Sequence, residues 1–141
     1  MRKKFSFFLA MCILLFSSVA MADYPEYLGG DKNYVLFDGI QGLGRYFDKK
    51  TLNVEKYAPP SYIIAIDYVS VKDADRGNTK ISDRRRIRFA YDWNSKRIYS
   101  IGNDGSWNFL DPDGSRADGC YFALGADLVF QMAYNMKFYN N

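Results

Sequence analysis

The chain has 141 residues, no histidine and two cysteines, with 19 lysines and arginines against 16 aspartates and glutamates. Without histidine, Ser–His and Cys–His nucleophile activation and His-ligated metal sites are excluded, and with them the commonest hydrolases and zinc centres. The net charge of +3 equals Arg2, Lys3 and Lys4, so the remainder is formally neutral and carries no basic signature for nucleic acid or an anionic membrane.

Those three basic residues open a targeting pattern. An apolar run from Phe5 to Val19 follows them, and Ala20-Met21-Ala22 is a small-x-small cleavage site. The run is too short, and too interrupted by Ser17 and Ser18, for a spanning helix. Residues 1–22 are therefore read as a signal peptide, and residues 23–141 as one secreted domain with no stable membrane span after cleavage. Cys12 leaves with the signal, and Cys120 stays without an intrachain partner in a compartment where disulfides form. It is expected either as a small buried hydrophobe, or as a free thiol or intermolecular disulfide, which keeps a homodimer open.

Asp23 to Asn33, with Pro25, Gly29 and Gly30, is an irregular arm. Tyr34 to Asp38 and Arg45 to Asp48 read as strands joined by the glycine-rich loop Gly39 to Gly44, and Thr51 to Tyr57 continues the second. No helix pattern follows those glycines, so they do not form a phosphate cradle. Pro59-Pro60 stops the strand. Ser61 to Val71 is apolar on both alternating faces, as in a central strand covered on both sides. Asp67, on one of those faces, needs a partner, and an arginine suits it.

After a polar connection, Ile81 to Trp93 separates by parity. Arg84, Arg86 and Arg88 fall on one face, and Ile87, Phe89, Tyr91 and Trp93 on the other. Arg97 to Ile101 and Ser106 to Leu110 complete an antiparallel meander, and Asp111-Pro-Asp-Gly-Ser115 has type I turn chemistry. Leu124, Leu128, Val129, Met132, Ala133 and Met136 then recur at helical spacing from about residue 122 to 137. The expected fold class is α+β, an antiparallel sheet of about six strands with one C-terminal helix packed on it.

Arg84, Arg86 and Arg88 could meet an anionic partner, or could be a solvated face that guards against edge pairing. Asp111, Asp113, Gly114 and Asp118 resemble a fragment of a calcium loop but lack its length and closing glutamate, so turn chemistry is expected. No metal or cofactor is expected. Asn103 to Gly119, with Trp107 and Phe109 two residues apart between glycines, resembles one unit of the choline-binding cell-wall repeats. Such units work in tandem, and no second copy is present.

The layout also resembles the surface-adhesin protein E-like family of small secreted bacterial proteins. The resemblance is carried by Arg45-Tyr-Phe-Asp48, Tyr62 to Val71, Arg88-Phe-Ala-Tyr-Asp92 and Trp107 to Pro112 before the helix. It implies adhesion and an antiparallel sheet with a C-terminal helix. Members commonly carry cysteines tying helix to sheet, a feature for which Cys120 has no partner. The expected function is a non-catalytic exported domain, periplasmic or on the cell surface, that binds a protein or glycan of the envelope or a host surface. Arg84, Arg86, Arg88, Trp107 and exposed tyrosines are its candidate contacts. The alternative is a periplasmic carrier holding an apolar small molecule between sheet and helix.

Overall fold

The computed structural model describes residues 23–139. The signal peptide expected over residues 1–22 lies outside the described residues. Six strands follow one another: β1 (Tyr34–Ile40), β2 (Leu43–Ala58), β3 (Ser61–Val71), β4 (Ile81–Asp92), β5 (Arg97–Ile101) and β6 (Trp107–Leu110). Each is antiparallel to its neighbour, and spatial order equals chain order, a pure meander. One helix, α1 (Cys120–Tyr134), then packs on the sheet, so the fold is α+β.

Local chemistry explains the turns. Gln41 and Gly42 join β1 to β2 with φ of 50° and 83°, the positive values that a two-residue hairpin loop needs to match strand twist. Between β2 and β3, Pro59 and Pro60 occupy the turn, where no ladder donor is required.

β3 is central, as its two apolar faces require. On one face Ile64 and Ile66 join Phe47, Phe89, Tyr91, Ile98 and Leu110 against Ala123, Ala126, Val129 and Phe130 of α1. On the other, Val69 and Val71 pack with Tyr46, Leu28 and Ala74. That second core is roofed by the N-terminal arm. Tyr46 Oη donates to the Pro25 carbonyl at 3.0 Å, and the Gly42 N–H donates to Tyr24 Oη at 2.7 Å. Gly39 makes the roof fit, since a Cβ there would stand 2.7 Å from the Tyr24 ring.

The helix departs from its expected bounds, and although Leu128, Val129, Met132 and Ala133 of its apolar stripe pack on the core, the stripe's edges do not. It begins at Cys120 and ends at Tyr134, because Asn135 turns left-handed with φ 56° and caps the last turn through its N–H to Gln131 O. Its buried residues are Ala123, Gly125, Ala126, Val129 and Phe130, whereas Leu124 and Met136 are 58% and 50% exposed. The buried face is thus turned about a quarter of a revolution from the Leu–Met stripe. Close approach decides it: a Cβ on Gly125 would come within 3.0 Å of Phe37 and 3.1 Å of Phe47. Small residues let the helix sit down on aromatic rings supplied by the sheet.

Tyr91, 2% exposed, crosses that interface and donates to the Ala126 carbonyl at 2.7 Å. Burial pushes its phenol well above the ordinary value. Tyr91→Phe is expected to lower stability by about 1 kcal/mol, since Ala126 O keeps its intrahelical partner. Denaturant unfolding of the two proteins, with unchanged slope, measures it. Among the described residues no helix is long and apolar enough to cross a membrane.

Candidate functional site

The sheet face opposite α1 is only partly covered. The arm roofs its β1–β3 end, and the rest carries two side-chain strips, one ionic on β4 and one aromatic on β5 and β6.

The ionic strip follows from register. Arg86 lies opposite Asp67, Arg84 opposite Val69 and Arg88 opposite Ala65, which sets all three arginines on the face of Asp67. Arg84 Nη1 donates to Asp48 Oδ2 at 2.9 Å and to Asp67 Oδ2 at 3.4 Å, and its Nη2 to Tyr34 Oη at 3.1 Å. Arg86 Nη1 donates to Asp67 Oδ1 at 2.8 Å. Arg88 grips Glu55 through Nε at 2.8 Å and Nη2 at 2.7 Å. Glu55 stands at a bulge between Val54 and Lys56, where β2 loses its register with β3. Hydrogen bonds to Asp48 and to Glu55 raise Arg84 and Arg88 above the ordinary arginine value.

Asp67 thus has the arginine partner its position demands. Three arginines face three carboxylates (Asp48, Asp67 and Glu55), so the strip is neutral in sum and its best-aligned donors are taken. An incoming anion would have to displace an internal carboxylate. The side chains remain 40% to 46% exposed, so each pair contributes little to stability.

The aromatic strip lies beyond it on the same face. Tyr99 is paired with Phe109, and Ile101 with Trp107. The Tyr99 ring stands 5.6 Å from that of Trp107 and 5.9 Å from that of Phe109, centroid to centroid. Trp107 and Phe109 are 53% and 48% exposed, among the largest exposed apolar side chains described. The Arg97 guanidinium caps the Phe109 ring at 5.3 Å. Trp107, singled out in the sequence, is therefore on the same face as Arg84, Arg86 and Arg88, with β5 between its strand and theirs. Tyr99 and Phe109 complete an aromatic trio with it, and Arg97 covers one of the rings. Alternation along Arg97–Ile101 and Trp107–Leu110 was the signal that could have grouped them, once the hairpin register was known.

A further charge cluster closes the sheet around the helix. Asp38 on β1, with a side chain 4% exposed, receives both arms of the Arg116 fork at 2.9 Å and Arg45 Nη1 at 2.6 Å. Burial alone would raise the Asp38 carboxyl, but hydrogen bonds from Arg116 and Arg45 outweigh it and hold it below the ordinary value of 3.8. The Tyr121 ring lies 4.5 Å from the Arg116 guanidinium and 5.4 Å from that of Arg45. Arg116 belongs to the loop after β6, so this cluster ties the first strand to the segment leaving the sixth. Its geometry is that of a structural clasp.

Cys120, at the first turn of α1, is unbridged and half-buried. Asp111 and Asp118 accept the backbone N–H groups of Asp113 and Ser115, as turn aspartates do. A cleft of about 290 Å³ runs between β1, the arm and α1, lined by Glu26, Lys32 and Lys49 together with Val35, Leu128 and Met132. It is open and mixed in polarity, which suits a carrier of apolar ligands less well than an enclosed pocket does. Set against known proteins, the chain matches no family model, no curated protein and no solved structure.

Proposed function

We propose that this is a non-catalytic exported domain of the envelope or cell surface that binds a protein or glycan through the uncovered face of its sheet. The observation that carries the reading is the solvent-facing trio Tyr99, Trp107 and Phe109 with Arg97 over one ring. Rigid aromatic rings on a strand pair lose little conformational entropy on contact, and they suit both protein hot spots and stacking on a sugar ring. The arginine strip beside them is satisfied internally and is assigned the supporting role of a polar rim. The basic residues 2–4, the apolar run and Ala20-Met21-Ala22 support export. Adhesion, which the protein E-like layout implies, is one form such binding would take.

The test compares Trp107→Ala/Phe109→Ala with the parent for binding to envelope extracts and to an immobilised glycan panel. Affinity is expected to fall about tenfold or more. Each substitution should cost only about 0.5 kcal/mol of stability, since both rings are exposed. Unaltered binding by the double variant would remove the reading. A stoichiometric small molecule retained in native mass spectra would move it to a carrier.

A further inference from the structure

The two edges of the sheet are treated differently. At the β1 edge the arm supplies partners: Tyr27 bridges to Val35, and the Leu36 N–H donates to the Glu26 carbonyl at 2.9 Å. At the β6 edge no backbone partner is found among the described residues.

The direction of the free groups on β6 follows from the hairpin. The Gly102 N–H donates to Ser106 O at 2.8 Å, and hydrogen-bonded and non-hydrogen-bonded pairs alternate along an antiparallel ladder. Asn108 and Leu110 therefore turn their backbone groups toward β5, whereas Trp107 and Phe109 turn theirs outward. The residues with the exposed rings are also the residues with the unpaired N–H and C=O groups.

Brevity is the one protection this four-residue edge carries. Trp-Asn-Phe-Leu contains no charged residue, no proline and no bulge. We infer that β6 pairs with β6 of a second copy, antiparallel about a two-fold axis at Asn108, to make a homodimer with one continuous twelve-stranded sheet. In that register Trp107 faces Phe109 of the second copy and exchanges both backbone bonds with it, four bonds in all by symmetry. Asp111 then faces Gly105 and Asp104 faces Pro112, so no two like charges meet across the axis. The register sets ring against ring on both sides of the axis and brings no like charges together, and on those grounds the occupant is a second copy. It also joins two aromatic trios into one longer surface. The inference stands on the edge geometry and does not depend on the ligand reading.

The experiment uses the purified protein in a Cys120→Ser background, so that no thiol link at the helix can imitate the interface. Native mass spectrometry and sedimentation over a concentration series are expected to show a reversible dimer. Asn108 pairs with itself across the axis at a non-hydrogen-bonded position, where Cα atoms approach to about 4.5 Å, within disulfide reach. Asn108→Cys should therefore oxidise to a covalent dimer, whereas Phe109→Cys, offset from its own copy, should not. Phe109→Pro removes an outward N–H that β5 does not use and should weaken the dimer about tenfold or more with the fold retained by circular dichroism. A monomer at every concentration, or a dimer that neither Asn108→Cys traps nor Phe109→Pro weakens, would overturn the inference.

Discussion

Phe130→Ala is expected to lower the unfolding free energy by about 4 kcal/mol. Phe130 is 1% exposed and stands where α1, β4 and the C-terminal segment converge. Its ring lies 5.1 Å from Tyr91, 5.3 Å from Tyr62, 4.8 Å from Tyr134 and 5.3 Å from Phe138, and stacks on Trp93 at 5.8 Å. Removing it costs the transfer free energy of an aromatic ring and leaves a cavity walled by other rings. Those rings come from different elements, and they cannot collapse together without moving the helix. Denaturant unfolding followed by tryptophan fluorescence measures the loss, with Trp93 as a reporter beside the cavity. Phe130→Leu refills most of the volume and should cost much less. If the alanine variant lost under 1 kcal/mol on that measurement, α1 would not be seated on the sheet as described.

Asp38→Ala is expected to cost about 3 kcal/mol. Two guanidiniums converge on this carboxylate, and deleting it leaves Arg45 and Arg116 facing each other with no counter-charge. Breaking a buried pair costs about 3–5 kcal/mol. The lower end applies because the Arg116 side chain, 42% exposed, can turn to water. The same site predicts an acid dependence. Its folded-state pKa lies below the ordinary 3.8, so its stabilisation is fully present above the unfolded value. It is lost as pH falls through the folded one. The parent protein should therefore lose stability below pH 4 more steeply than Asp38→Asn, whose amide cannot titrate. Thermal unfolding from neutral to acid pH measures both slopes, and equal slopes would show that the clasp contributes nothing in acid.

The sheet was legible because its signals are local. Arg84, Arg86 and Arg88 alternate with Ile87, Phe89 and Tyr91, and that period appears in no helix. The two apolar faces of β3 announced its central place, and both cores are found there. The need of Asp67 for an arginine was also readable from its position alone. The helix was located by its period and partly oriented by it, since Leu128, Val129, Met132 and Ala133 pack on the core while Leu124 and Met136 face outward. Leu124 and Met136 are larger and more apolar than Ala123, Gly125 and Ala126, yet the small residues are buried, because the sheet supplies the bulk at that contact.

The candidate site was less legible because it is an affair of register. Tyr99, Trp107 and Phe109 meet only when the β5–β6 hairpin sets Tyr99 against Phe109. Glu55 reaches Arg88, across 33 positions, from a bulge of β2 between Val54 and Lys56. The roof over Val69 and Val71 came from an arm with no periodicity to reveal it.

By itself the sequence determined that this is an α+β antiparallel meander closed by one helix, and that histidine-based catalysis is excluded. Both conclusions rest on composition and on short-range periods, which are properties of neighbouring residues. Tertiary structure alone decided which carboxylates neutralise the arginines, how the buried face of α1 is turned from its apolar stripe, and that Trp107 and Phe109 stand at an unpaired edge. Those depend on strand register and close packing, where one bulge or one glycine redirects side chains far apart in the chain.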